Sequence, residues 1–210
     1  MELFDILNQD GTKTGQIKER NQVHRDGDLH GSVHIWIIKD GKALLQKRAM
    51  TKESFSGCFD VASSGHVDAG ETYVMAAVRE LEEETGIVAD ENQLIPLFMQ
   101  RLNVSLTGKS AEAPLFVSNE INQVYLAECT VNLESLHPQK SEIDYFEWVP
   151  LDKLRTLLLN QDIIYKDRLT DRNDPELIDI NTSKLAYCIS LEEFEGVLEY
   201  YLRLDYHVET

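Results

Sequence analysis

Residues Gly65–Ile87 read GHVDAGETYVMAAVRELEEETGI, and the spacing within this stretch decides the fold. At about 100° per residue, Val74, Ala77, Val78 and Leu81 fall on one face of a helix predicted over Val74–Glu84. Glu80, Glu83 and Glu84, at i, i+3 and i+4, share a different arc. One side therefore packs into a core while another presents three carboxylates together. Like charges so spaced cost about a few tenths of a kcal/mol per pair in an isolated helix, and Arg79 is the cation that offsets them within the arc. A hard divalent cation converts the repulsion into coordination, because Mg²⁺ takes oxygen ligands in octahedral geometry and keeps several waters. Gly65 and Gly70 allow a tight loop before the helix, Glu71 stands at its start, and Gly86 falls where a left-handed residue ends a helix.

Three glutamates alone read as a solvated acidic face, since charge runs usually meet water. The full spacing changes that reading. Gly65, five residues, Glu71, seven residues, Arg79-Glu80-Leu81, one residue, Glu83-Glu84, one residue, Gly86-Ile87 is a long fixed pattern. At ordinary residue frequencies its chance occurrence is roughly 10⁻⁹ to 10⁻⁸ per window. It matches the Nudix box, and the chain resembles the Nudix superfamily. The resemblance implies an α+β protein, an α/β/α sandwich around a mixed sheet with the box as loop, helix and loop. It implies that Glu80, Glu83 and Glu84 hold Mg²⁺ or Mn²⁺, that Arg79 orients them, and that Glu71 supports the box loop. The implied reaction is attack of water on a phosphorus of a nucleoside diphosphate derivative or other small organic diphosphate. Glu84, Glu142 and Arg79 are then the catalytic candidates, and Arg48, Gly65, His66 and Glu71 the substrate-side ones. Glu142, just before the strand holding Trp148, is the favoured base, with Glu120 as the weaker alternative.

The chain also resembles one branch, the isopentenyl-diphosphate isomerases, through Arg48-Ala49, Lys52, Gly57 and Gly65-His66. There Glu142 matches a metal-binding glutamate, His24 and His30 resemble a histidine pair, and His66 a third histidine. Two departures oppose an isomerase. Ser64 stands where the isomerase uses a cysteine, and a hydroxyl is a far poorer acid or base than a thiol. The box is intact here and degraded in the isomerase. A hydrolase on an isomerase-like frame is the expectation, with an isoprenoid diphosphate among the substrates that analogy allows.

Outward from the box, residues 2–7 and 16–19 flank Asn8-Gln9-Asp10-Gly11 as a hairpin, and Arg20–His30 suits a short helix. Val33–Ile38 is a buried strand, Ala43–Lys47 its partner, and Thr51–Asp60 an irregular loop. Gln93–Arg101, Asn122–Cys129 and Phe146–Val149 are strands, and Leu151–Leu159 is a helix. Residues 191–204 form an amphipathic helix, while 160–185 read as a long polar loop. The domain expectation is a hairpin and connector over 1–30, a Nudix domain over 31–160, and a helical extension over 161–210 packed on the same domain. Phe194, Val197, Leu198 and Tyr201 at helical spacing read as core or a dimer seam, and a homodimer is expected by analogy.

The net charge of −17 disfavours a polynucleotide partner. It also means that an anionic substrate needs a local reversal of sign, for which a divalent cation is the simplest device. Three widely spaced cysteines give neither a disulfide framework nor a metal knuckle, and Cys58 reads as structural. No apolar run suits a membrane span and no signal peptide is read, so a cytoplasmic location without a membrane partner is expected.

Overall fold

Alternation along the strand His30–Trp36 (β3) divides the interior in two. The computed structural model describes residues 2–52, 55–106, 116–128, 133–169 and 188–208. Val33 and Ile35 point to one side of β3, into a core with Leu44, Ala76, Ala77, Leu81 and Tyr125. Trp36 points to the other, into a second core with Leu45, Leu126, Leu158, Phe194 and Val197. Because side chains in a strand alternate, His30, Ser32 and His34 share the face of Trp36.

The hairpin is β1 (Leu3–Leu7) on β2 (Lys13–Glu19), followed by the short helix α1 (Arg20–Asp26). The remaining strands are β4 (Ile38–Lys39), β5 (Lys42–Arg48), β6 (Phe59–Asp60), β7 (Ser63–His66), β8 (Leu94–Leu106), β9 (Phe116–Ala127) and β10 (Ile143–Pro150). One sheet has the order β7-β3-β9-β8; its β3–β9 pair is parallel and its other pairs are antiparallel, so it is mixed. The second runs β10-β5-β4, with β6 also on β5. The box helix α2 (Tyr73–Thr85) covers the Val33 face of the first sheet. Helices α3 (Leu151–Leu169) and α4 (Leu191–Val208) supply Leu154, Leu158, Phe194 and Val197 to the second core. Strands and helices mix without regular alternation, so the class is α+β, as expected.

Helix α2 is bounded by its caps. Thr72 accepts a hydrogen bond from Met75 N (3.3 Å), and Gly86 takes φ 78°, a conformation that costs glycine least. Helix α3 runs on to Leu169, ten residues beyond the expected Leu159, so part of the expected polar loop is helical. The rest of that expected loop, 170–185, lies outside the described residues, as does Cys129, the last residue of the strand expected over Asn122–Cys129. Strand β8 extends five residues past Arg101 to Leu106, because β9 pairs with it as far as Phe116. No helix among the described residues is long and apolar enough to cross a membrane.

Leu81 is fully buried between α2 and the sheet. Replacing it by alanine should lower stability by about 2–5 kcal/mol in urea unfolding. A loss below about 1 kcal/mol would mean that the apolar stripe of α2 does not carry its docking.

Candidate active site

The box loop and the box helix are joined by one guanidinium. Arg79 grips Glu71 with two bonds, Nε to Oε1 and Nη2 to Oε2, each 2.9 Å. Its Nη2 also donates to the His66 carbonyl (2.9 Å), and its Nη1 donates to Glu80 (2.7 Å) and Glu83 (3.4 Å). Glu71 in turn accepts from Asp68 N (3.0 Å). The Glu71 bond, burial opposing it, holds the Arg79 guanidinium charged well above its ordinary range.

The three box glutamates differ in setting. Glu84 is buried and accepts from Ser64 N (2.9 Å) and Gln46 Nε2 (3.2 Å). Glu80 packs on Gly65 so closely that a Cβ there would lie 2.1 Å from its Cδ, so a side chain at this β7 position would displace the Glu80 carboxylate. Glu83 stays exposed, with 55% of its side chain accessible. Burial, then the neighbouring Glu84, pushes the Glu80 carboxyl up to about 8. Burial pushes Glu84 up to about 7, with Asp60 adding to the effect. Two carboxyls that are costly to ionise, set beside an exposed third, fit a divalent cation that would compensate them.

These residues line a cavity of about 720 Å³. Arg48, Lys52 and Glu142 also line it. Arg48 donates to Asp60 (3.2 Å), and Lys52 is ion-paired with Glu142. The favoured base candidate is therefore held by a lysine, and Asp60 is a carboxylate beside the site that the sequence did not single out.

A second cluster sits at the end of the cavity. His24, His30 and His66 are the one group among the described residues whose ligand atoms all lie within 4.8 Å of one another; the box glutamates form no such group. His24 Nδ1 meets the Val117 carbonyl (3.1 Å) and His30 Nδ1 the Asp28 carbonyl (2.9 Å). A carbonyl only accepts, so each Nδ1 carries the proton and each Nε2 keeps its lone pair. Both Nε2 atoms are buried without a hydrogen-bond partner. Burial, and His66 after it, lowers His24 to about 4 and shifts His30 the same way, so both rings are neutral. Glu120 Oε1 lies 3.8 Å from His30 Nε2 and 3.7 Å from His66 Nε2. Burial alone would raise Glu120; its interactions with His66, His30 and Ser118 together outweigh that and hold its carboxyl well below the usual carboxylate range. Neutral imidazoles with fixed tautomers and one carboxylate fit a metal ion.

The NUDIX domain family model matches residues 28–171. Nudix hydrolase 3 of Arabidopsis thaliana is 40% identical over 170 residues, which is 78% of this chain but 21% of that protein. The chain thus corresponds to about a fifth of that relative's length. An uncharacterized Nudix hydrolase of Clostridium acetobutylicum is 30% identical over 164 residues, 76% of this chain and 75% of the relative. An isopentenyl-diphosphate Delta-isomerase of Mycolicibacterium vanbaalenii is 28% identical over 156 residues, 73% of this chain and 80% of the relative. Among solved structures, DR0079 from Deinococcus radiodurans superposes with a TM-score of 0.55 at 21% identity, covering 81% of this chain and all of that one, a likeness of fold. Nudix hydrolases and isopentenyl-diphosphate isomerases thus stand together among these relatives. The chain belongs to the NUDIX family.

Glu80 and Glu84 set a pH dependence whose sign follows from their upward shifts. Their unfolded values lie near 4.3, and in the folded chain they are about 8 and about 7. Their contribution to stability is whole below about pH 4.3 and is lost as pH rises through 7 and 8. In chelator, the midpoint of thermal unfolding should fall across this window, and the fall should be smaller in Glu80→Gln. Saturating Mg²⁺ should cancel it. Identical profiles for the two proteins in chelator would remove the buried carboxyls as the cause.

Proposed function

We propose that the chain hydrolyses the diphosphate linkage of a small organic diphosphate, with Mg²⁺ or Mn²⁺ held by Glu80, Glu83 and Glu84. The observation that carries this reading is the placement of Glu80, Glu83 and Glu84 along one cavity wall, with Arg79 donating to Glu80 and Glu83. When bound, the cation neutralises diphosphate oxygens and lowers the pKa of the attacking water. Arg79 keeps Glu71, Glu80 and the His66 carbonyl in fixed relation, so the ligands are oriented before substrate arrives. Glu83 lines the same cavity and remains solvated, so its carboxylate is accessible to a cation. Arg48 suits bidentate contact with phosphate oxygens, and Lys52 offers a second charge. Glu142, released from Lys52 as that lysine takes up a phosphate, becomes free to accept the proton of water. Residues 161–210 act as an extension of the same domain, consistent with Phe194 and Val197 lying in a core shared with β5 and β9.

Glu83→Gln should lower metal-dependent phosphate release by about 10²–10³-fold, the scale of removing one group that stabilises developing charge. Its circular dichroism should be unchanged. The substrate for this assay comes from a panel of nucleoside diphosphates, sugar nucleotides, dinucleotides, oxidised nucleotides and prenyl diphosphates, scored by released phosphate. Undiminished turnover in the variant would sink the reading.

A second reading has one observation in its favour. The cluster of His24, His30, His66 and Glu120 fits a metal ion, and isopentenyl-diphosphate isomerases are among the relatives. Against it, Ser64 holds the place of the thiol, and its hydroxyl donates to Asp60 over 3.4 Å. Incubation with isopentenyl diphosphate in D₂O separates the two. Inorganic phosphate without deuterium in the recovered substrate is the expected result; deuterium in an allylic product would establish the isomerase.

A further inference from the structure

Helix α4 sends one buried carboxylate against His34, a residue of the cavity wall. Glu193 is in the first turn of α4, 1% exposed, and its backbone N–H donates to Ser190 Oγ (3.0 Å). Its Oε1 accepts from Trp36 Nε1 (2.9 Å) and its Oε2 from Gln100 Nε2 (2.7 Å). Both oxygens lie within reach of His34 Nδ1, at 2.9 and 3.0 Å. No lysine or arginine among the described residues pairs with it. A buried carboxylate without a cation is costly, so the ring in contact with it supplies the charge.

His34 is thereby an imidazolium. Burial opposes the charge, but Glu193 overrides it, with Asp60 and Glu120 adding to the effect, and pushes His34 up to about 9. Those three carboxylates are the charged groups that face the ring, from α4, β6 and β9 respectively. An imidazolium has two donors. Glu193 takes Nδ1–H, and no described residue takes Nε2–H. The ring is 13% exposed and lines the cavity with Arg48 and Glu84. In register it lies opposite Ser64, whose N–H holds Glu84. A spare cationic donor therefore opens into the cavity one strand away from a box carboxylate.

We infer that His34 is a substrate-binding residue, donating its Nε2–H to an oxygen of the diphosphate, and that Glu193 is the positioning residue that keeps it charged. This rests on the reading of the cavity as a diphosphate site and adds a residue that lies outside the box. Glu193 also links that role to the C-terminal helix: the site has its full positive charge only with α4 docked on β3 and β8.

The probe is methylene diphosphonate with Mg²⁺, titrated calorimetrically, with the His34 ring followed by NMR. In the wild-type protein the His34 signals should remain those of an imidazolium through about pH 8 and shift when the probe binds. His34→Gln should weaken probe binding about tenfold or more, the scale of one charge-assisted hydrogen bond, read at a temperature where the variant is folded, since its own unfolding midpoint should fall with Glu193 left buried without a cation. Glu193→Gln should bind normally at about pH 6 and lose affinity as pH rises past about 6.5, the ordinary histidine range. A merely structural role for Glu193 gives no such pH step. If wild type binds the probe and His34→Gln binds it equally, with His34 signals unmoved, the role of His34 falls and the diphosphate reading stands. If wild type binds no probe while folded, both fall.

Discussion

Arg79 turns a sequence pattern into a rigid object. Five donor contacts from one guanidinium join Glu71 at the start of the box, the His66 carbonyl in β7, and Glu80 and Glu83 on α2. Without that fork the loop before the helix and the carboxylates on it would move independently. A planar guanidinium can satisfy two oxygens of Glu71 and still reach other acceptors, which a lysine ammonium cannot do in fixed geometry. The ion pairs are half-buried, so they are less screened than surface pairs, and their role is orientation more than stability. Gly65 completes the constraint, since any side chain there would occupy the space of Glu80.

The cavity exists because β3 and β9 alternate. Their apolar faces, with Val33, Ile35, Tyr125 and Ala127, are spent on α2. Their other faces change character along the strand. At one end Trp36, Val124 and Leu126 pack under α3 and α4; at the other His30, Ser32, Glu120 and Asn122 are polar. Asn122 bridges Ser32 Oγ (3.0 Å) and Gln100 Nε2 (3.3 Å), and Gln100 reaches Glu193. A chain of satisfied hydrogen bonds thus runs from the cavity floor to the C-terminal helix, where a partly satisfied one would be costly. The same sheet face is a hydrophobic seat and a polar floor, and the boundary between them falls at His34.

Local signals were legible in the sequence, and long-range partners were not. The helix over the box, its Gly86 end, the hairpin and the strands β3 and β5 follow from periodicity and turn residues within a few positions, but the expected pairing of β3 with β5 does not hold: β3 lies between β7 and β9, and β5 pairs with β4, β6 and β10 in the other sheet. Helix α3 ran past its expected end because residues 160–169 carry no clear apolar stripe, so nothing local marks helix against loop. The orienting of the box glutamates by Arg79 was implied by the resemblance; its two-bonded grip on Glu71 was not. That Lys52 meets Glu142 and that His66 meets Glu120 depends on sheet register, and that His34 meets Glu193 across 159 positions depends on where α4 docks on the sheet. A single sequence does not display register between distant strands. The histidines were visible as residues; what was hidden was that two backbone carbonyls, Asp28 and Val117, fix their tautomers.

Charge accounting around the cavity bears on why a chain of net charge −17 would use a metal at all. The basic groups that line the cavity are already engaged. Arg48 is held by Asp60, Lys52 by Glu142 and Arg79 by Glu71, while His34 shares its charge with Glu193. A diphosphate entering this space meets cations whose fields are largely cancelled, beside carboxyls that resist ionising. Protein side chains alone cannot reverse the sign of the site without breaking those pairs. A divalent cation held by Glu80, Glu83 and Glu84 would do so, compensating those carboxyls and supplying positive charge to phosphate oxygens. On the proposed reading, the pairs are then the second stage. A bound phosphate competes with Glu142 for Lys52 and so frees a base only when substrate is present. The same carboxylates that make the empty site hostile to an anion would thereby couple water activation to occupancy.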